Sequence, residues 1–217
     1  APLAAVAQRA LAQGAAYVNL EFDLPSGRRG ERVLHVEELV CAACGAEAVA
    51  VVNNNAAAVL IALNTLARGR PVLVSRGQMV EIGGSFRIPD VIAASGAELC
   101  EVGTTNRTHL RDYEAALSEQ TGAILVVHPS NYRVRGFTAE VELHDLSVLA
   151  RRAGVPLVYD LGGGVLCDLA QWSLPAEPIV KDELAKGADL VTFSGDKVLG
   201  GPQAGLIAGA LPYIEAI

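Results

Sequence analysis

Short apolar stretches alternate with helical patterns along most of the chain. The short stretches are apolar at consecutive positions, which is typical of strands that are buried on both faces of a parallel sheet. Several of the helical patterns between them stop at a glycine, as helix ends commonly do. The pattern predicts strands at residues 48–52, 71–75, 98–102, 123–128, 156–160, 190–194 and 204–208, and helices at 55–67, 89–96, 110–117, 143–153 and 179–186.

Alternating strands and helices predict an α/β fold, an α/β/α sandwich with a mostly parallel central sheet and helices on both faces. Residues 1–32 are predicted as a helix (3–12) and an irregular arm (19–32) of the same domain, and residues 33–217 as the domain that contains the sheet. Ligands of such folds bind beyond the carboxyl ends of the strands. The polar residues at those ends are therefore the candidates for function.

Composition narrows the class of protein. Of the 217 residues, 51% are hydrophobic and 19% charged, which excludes a disordered chain. The net charge of −7 argues against nucleic-acid binding by bulk electrostatics of this segment. The apolar stretches are too short to span a bilayer, so we expect no membrane partner. The chain begins without Met and ends where a new helix starts, so we expect a piece of a longer protein.

The four cysteines do not form a disulfide framework or a metal site in this reading. Cys41 and Cys44 form a CxxC within a helical stretch, without a second pair or nearby histidines at ligand spacing. We predict that these two, with Cys100 and Cys167, are small buried residues in a reducing cytoplasm. No metal is expected.

A lysine follows one of the predicted strands. Strand 190–194 ends in Ser194, and Asp196 and Lys197 come next in a glycine-rich turn. A partly desolvated lysine at the ligand edge of a sheet suits a Schiff-base role, because removal of water favours the neutral amine. The alternative is a surface lysine in a glycine-rich loop.

Asp160 favours the first reading. It ends the preceding strand and is followed by three glycines, which do not form a dinucleotide-binding motif. A carboxylate on one strand and a lysine after the next are typical of pyridoxal 5′-phosphate sites, in which the aspartate keeps the ring nitrogen protonated. For the cofactor phosphate, Asn54, Asn55 and Ala56 open a helix whose N-terminus can bind an anion, and Ser194 can add a hydroxyl.

Polar loops follow other predicted strands. We predict that they surround one crevice and bind an anionic substrate. The candidates for substrate contact are Thr104, Thr105, Asn106, Arg107, Asn131 and Tyr132.

Long and specific runs resemble a known family. The chain is similar to bacterial selenocysteine synthase, L-seryl-tRNA(Sec) selenium transferase, a family of fold-type-I pyridoxal-phosphate enzymes. The resemblance covers nearly all of the chain. It departs from the family pattern at Gly163, Val165 and Pro129. The matching runs are residues 27–30, 52–58, 74–78, 81–89, 102–108 and 194–205.

The resemblance implies a function for the whole protein. It makes Lys197 the lysine that carries pyridoxal 5′-phosphate, Asp160 the partner of the ring nitrogen and Asp196 an active-site carboxylate. The reaction would convert seryl-tRNA(Sec) to selenocysteinyl-tRNA(Sec) with selenium from selenophosphate. The family's tRNA-binding N-terminal domain and C-terminal small domain would lie outside residues 1–217, as would its arginines for the selenium donor.

The resemblance also implies a cytoplasmic homo-oligomer, a dimer or a ring of dimers. Two other functions stay open at this point. One is a related pyridoxal-phosphate lyase that acts on a small amino acid or amino sugar acid without tRNA. The other is a non-catalytic remnant of the cofactor domain within an oligomer.

Overall fold

A computed structural model describes residues 5–84 and 86–217, without the side chain of Val6. The chain divides into two compact units, Ala1–Leu39 and Val40–Ile217. The predicted division after residue 32 stays a prediction.

The first unit contains helix α1 (Ala5–Gly14) and a two-stranded antiparallel hairpin, β1 (Phe22–Asp23) and β2 (Arg28–Arg29). The hairpin lies within the arm predicted as irregular. Arg29 and Arg32 both form ion pairs with Glu21. Helix α2 (Leu34–Cys44) contains the boundary between the units. Residues 3 and 4 of the predicted first helix lie outside the described part of the chain.

The second unit is built on a seven-stranded sheet in the order β3-β11-β10-β9-β8-β4-β7. Strand β11 is antiparallel to both of its neighbours, and the other pairings within this seven-stranded sheet are parallel. The mostly parallel sheet predicted from the sequence is therefore confirmed. The strands are β3 (Ala48–Val52), β4 (Pro71–Ser75), β7 (Glu98–Val102), β8 (Ala123–Val127), β9 (Leu157–Gly162), β10 (Leu190–Ser194) and β11 (Gly205–Gly209), and a separate hairpin pairs β5 (Glu81–Ile82) with β6 (Phe86–Arg87).

Helices pack on both faces of this sheet. Alternate strand residues such as Val74, Leu125 and Ile207 are buried in one cluster with residues of α3 and α4. The intervening residues, such as Leu73 and Ile124, are also fully buried, as expected of strands covered on two sides. The helices are α3 (Asn55–Ala67), α4 (Ile88–Ser95), α5 (Leu110–Ala116), α6 (Leu143–Ala153), α7 (Val180–Ala185) and α8 (Leu211–Ala216), with short 3₁₀ turns at Arg76–Gln78 and Leu169–Trp172. Within the described residues, no helix is both long and apolar enough to cross a membrane.

Two local predictions need correction. Strand β9 continues to Gly162, so that Asp160 lies inside the strand and not at its end. The pairing of β9 with β10 shifts by one residue after Asp160, so that Leu161 is skipped and Phe193 pairs with Gly162. Of the four cysteines predicted as buried, Cys44 is buried, Cys41 and Cys100 are half-buried, and Cys167 is exposed in the loop that follows β9.

The start of β11 lies very close to the start of α3. A Cβ atom added at Gly205 would come within 2.1 Å of the carbonyl oxygen of Asn54, so only glycine fits there without displacement of the backbone. The N-terminus of α3 therefore lies directly against β11.

We therefore expect Gly205→Ala to destabilise the protein by about 1–3 kcal/mol, the usual cost of overpacking a core. A denaturant titration of the full-length protein measures this loss. Gly163→Ala is the matched control, because a Cβ there meets nothing within 4 Å. Equal stability of the two variants would contradict the close approach of β11 and α3.

Candidate cofactor site

A cavity of about 390 Å³ lies where β9 and β10 end and α3 begins. This volume is within the range of small-molecule sites. It brings together every residue that the sequence predicts for catalysis or for cofactor binding. The lining residues are Asn54, Asn55, Ala56, Ile82, Gly83, Gly84, Phe86, Val127, His128, Ser130, Asp160, Gly162, Ser194, Asp196, Lys197 and Gln203.

Asp160 is a buried carboxylate in this cavity, only 4% exposed. Its Oδ1 accepts hydrogen bonds from Asn55 Nδ2 at 2.7 Å and from Thr192 Oγ1 at 3.2 Å. Burial raises the pKa of Asp160 above its ordinary value, and the two side-chain donors and the charge of Lys197 offset part of this rise. Asp160 and Lys197 are therefore close enough to interact, as the sequence predicts.

The two asparagines at the start of α3 have different tasks. Asn54 is the N-cap, and its side chain accepts a hydrogen bond of 2.8 Å from the amide of Ala57. Asn55 instead donates to Asp160, and its Oδ1 is buried without a partner among the described residues. Such an orphaned oxygen costs roughly 1–3 kcal/mol. Within the described chain the amides of Asn55 and Ala56 have no acceptor, so they can receive an anion at the helix N-terminus.

The loop after β10 carries the candidate lysine. Backbone hydrogen bonds from Gly195 to Ala204 and from Gly201 to Gly195 hold this loop closed. Ser194 is buried, whereas Asp196 and Lys197 are exposed in the single chain. The sequence predicts a partly desolvated lysine, which is wrong for the isolated chain, because the loop projects beyond the covered sheet. Within the described residues, Lys197 forms no ion pair, so its amine is available to a ligand.

The residues predicted for substrate contact lie outside this cavity. Thr104, Thr105, Asn106 and Arg107 line a separate small hollow of about 20 Å³. Their side chains hold loops together: Asn106 Nδ2 and Arg107 Nε both donate to the carbonyl of Phe137. The structure thus does not bring this loop into one crevice with Asp160 and Lys197.

Asn131 and Tyr132 line a third hollow, of about 480 Å³. The hydroxyl of Tyr132 donates to the carbonyl of Gly77 at 2.8 Å, which ties this loop to the end of β4. His128 and Ser130 line both this hollow and the cofactor cavity. Asn131 and Tyr132 are therefore next to the cavity but not in it.

Sequence reasoning missed the role of Thr192. This residue lies two positions before Ser194 on β10, so both point to the same face of the sheet. Side chains two residues apart on a strand share a face of the sheet, and this spacing from Ser194 is the signal that could have identified Thr192. Sequence reasoning predicted only a phosphate role for Asn55 at the helix N-terminus and missed the bond from its side chain to Asp160, 105 residues away along the chain.

Comparison with known proteins identifies the family. The family model of L-seryl-tRNA selenium transferases matches residues 1–217. The chain belongs to the L-seryl-tRNA(Sec) selenium transferase family. A relative from Solidesulfovibrio magneticus is 63% identical over 201 residues, 93% of this chain and 43% of the relative. Another, from Nitratidesulfovibrio vulgaris, is 59% identical over 216 residues, 99% of this chain and 46% of the relative. Both are named L-seryl-tRNA(Sec) selenium transferase, and the chain spans less than half of their length.

Solved structures show the same fold. D-glucosaminate-6-phosphate ammonia-lyase superposes with a TM-score of 0.78 at 24% identity, covering 100% of this chain and 56% of that protein. A putative O-acetylhomoserine (thiol)-lyase from Campylobacter jejuni, solved with N′-pyridoxyl-lysine-5′-monophosphate, has a TM-score of 0.59 at 16% identity, over 83% of this chain and 40% of that one. The predicted fold-type-I architecture is confirmed. The family and this fold imply pyridoxal phosphate as cofactor.

The cavity of this family member has the groups that pyridoxal phosphate requires. A buried carboxylate, Asp160, can accept from a protonated ring nitrogen, and the free amides at the start of α3 can bind a phosphate. The hydroxyl of Ser194 makes no hydrogen bond within the described chain, and the amine of Lys197 has no ion-pair partner there. These residues fit the cofactor.

Proposed function

We propose that the full-length protein converts seryl-tRNA(Sec) to selenocysteinyl-tRNA(Sec), with selenophosphate as the selenium donor. One observation carries the proposal: a chain about 60% identical to proteins named for this activity has Asp160 and Lys197 together in one cavity. The net reaction exchanges the serine hydroxyl for a selenol and releases phosphate.

Six residues of the cavity have a part in this proposal. Lys197 would hold pyridoxal phosphate through its amine, Asp160 would accept a hydrogen bond from the ring nitrogen, and Ser194 with the amides of Asn55 and Ala56 would bind the phosphate. Once bound, the cofactor supplies an electron sink for negative charge at the serine Cα.

Residues of the loop after β10 would carry out the proton transfers. The amine of Lys197 would take the proton from the serine Cα as a general base. Asp196 is next to it in sequence and also lines the cavity, so it is the candidate acid that protonates the departing β-hydroxyl.

Six further residues are proposed to contact substrate in the complete protein, where further segments or subunits adjoin them: Thr104, Thr105, Asn106, Arg107, Asn131 and Tyr132. The complete protein is also proposed to be a cytoplasmic homo-oligomer.

The test uses the full-length protein loaded with pyridoxal phosphate. Radiolabelled selenophosphate and seryl-tRNA(Sec) are supplied, and label in the aminoacyl ester of the tRNA is measured. We expect transfer to seryl-tRNA(Sec), and none with the Lys197→Ala variant. A loaded, folded protein that transfers no label to seryl-tRNA(Sec) would overturn the proposal.

A further inference from the structure

The carboxylate of Asp160 is held by two donors from different elements. Asn55, the first residue of α3, donates from Nδ2 at 2.7 Å, and Thr192, in the middle of β10, donates from Oγ1 at 3.2 Å. Both bonds end on the same oxygen, Oδ1. No described side chain donates to Oδ2, and the backbone amide of Gly162 also stabilises this carboxylate.

The orientation of the Asn55 side-chain amide is unfavourable for Asn55 itself. Its Oδ1 is buried and has no partner within the described chain, although buried polar atoms nearly always find one. The reverse orientation would set the amide oxygen against the Asp160 carboxylate, and two acceptors repel each other. The observed orientation therefore gives Asp160 a hydrogen-bond donor and leaves the Asn55 oxygen without one.

We propose that Asn55 and Thr192 are positioning residues, which hold the buried Asp160 ionised and turn its Oδ2 toward the ring nitrogen of the cofactor. This inference rests on the proposed function. Neither residue needs to touch the reacting atoms, because each acts through Asp160.

The electrostatics of the site agree with this role. Burial raises the pKa of Asp160, and the hydrogen bonds from Asn55 and Thr192 are the first two causes that lower it again. The charge of Lys197 also lowers the pKa of this carboxyl, Tyr159 is beside it on β9, and Asp196 and His128 line the same cavity. Without the two donors, the buried carboxyl would hold a proton more readily and could not accept from a protonated ring nitrogen.

The experiment compares two ligands in the full-length apoprotein. One is pyridoxal phosphate, and the other is its 1-deaza analogue, in which a C–H group replaces the ring nitrogen. The dissociation constant of each is measured by absorbance titration, and the ratio of the two constants is the readout. A variant that merely loosens the cavity weakens both ligands equally and leaves this ratio unchanged.

Wild-type protein is expected to prefer pyridoxal phosphate over the analogue by about tenfold or more, the usual effect of one hydrogen bond to a charged group. Asn55→Ala should remove most of this preference, and Thr192→Val, which removes the longer bond, should reduce it by about threefold. Asn64→Ala is the matched control. Asn64 lies on the same helix and donates an equally short bond, 2.7 Å, to the carbonyl of Ser95, but it does not line the cavity.

A second substitution distinguishes loss of the hydrogen-bond donor from loss of the fold. Asn55→Asp puts a carboxylate in the first turn of α3, where the helix dipole favours it, and at the same time removes the donor to Asp160. It should also lose the preference. An unchanged ratio in folded Asn55→Ala or Asn55→Asp, with a clear preference in the wild type, would overturn the inference. Failure of the wild type to bind either ligand would instead overturn the proposed function.

Discussion

Replacement of Lys197 by alanine in the full-length protein is expected to abolish the visible absorption band of lysine-linked pyridoxal phosphate. The chain contains three lysines, and Lys197 alone lies in the cavity, whereas Lys181 and Lys186 are on α7 and at its end. Loss of a general base by itself typically lowers the rate by about 10²–10⁴-fold, and the lost covalent attachment adds to this.

Absorbance spectra and transfer of label to seryl-tRNA(Sec) measure both effects. Borohydride reduction of the loaded wild type, followed by peptide mass analysis, should find the cofactor on Lys197. Lys181→Ala is the matched control and should keep the band. Reduction that marks Lys181 or Lys186 instead would contradict the assignment.

Asp160→Asn is expected to lower the transfer rate by about 10- to 100-fold, because a neutral amide replaces the buried carboxylate. A hydrogen bond to a charged group contributes up to about 3 kcal/mol, and each 1.36 kcal/mol of barrier changes the rate tenfold. Single-turnover kinetics of the loaded protein measure this loss. A rate within a few-fold of the wild type would show that the carboxylate does not support the cofactor.

The same substitution is expected to stabilise the apoprotein at neutral pH. Burial raises the pKa of Asp160 in the folded chain, whereas in the unfolded chain it titrates near its ordinary value of 3.8. Between these two values the folded state binds more protons, so its stability falls as the pH rises. The ionised Asp160 therefore destabilises the fold above its folded pKa, and asparagine removes that penalty.

Denaturant titrations over a pH series measure this difference. The advantage of Asp160→Asn should shrink as the pH falls through the folded pKa of Asp160 toward 3.8, where the wild-type carboxyl becomes neutral too. A stability difference that does not change with pH would contradict the burial of this charge. Together the two results would show a residue kept for function at the expense of stability.

Much of the fold could be predicted because its signals are local. The strands at Ala48–Val52, Pro71–Ser75, Glu98–Val102 and Leu190–Ser194 and the helices at Asn55–Ala67 and Leu143–Ala153 have the predicted bounds. In these segments the apolar pattern and the residues at the ends agree, so neighbours along the chain suffice. The end of β9 was predicted two residues early, because a register shift depends on the partner strand and not on the segment itself.

The grouping of the loops could not be predicted in the same way. The loop that holds Thr104 and Arg107 follows β7, at the far edge of the sheet, whereas Asp160 is on β9. These strands are three positions apart, about 14 Å at the usual strand spacing. All of these loops follow strands, so the sequence makes them look equivalent, and only the strand order separates them.

The chain by itself determined the alternation of strands and helices and membership of its family through long matching runs, and it pointed to a lysine and an aspartate as the candidate pair. Tertiary structure decided which strand ends are neighbours, which oxygen of Asp160 is bonded, and that Asn55 serves this carboxylate. The physical reason is the separation along the chain over which each interaction acts. Helix capping and apolar periodicity act over a few residues, whereas a hydrogen bond between residues 55 and 160 exists only after the sheet has brought α3 and β9 together.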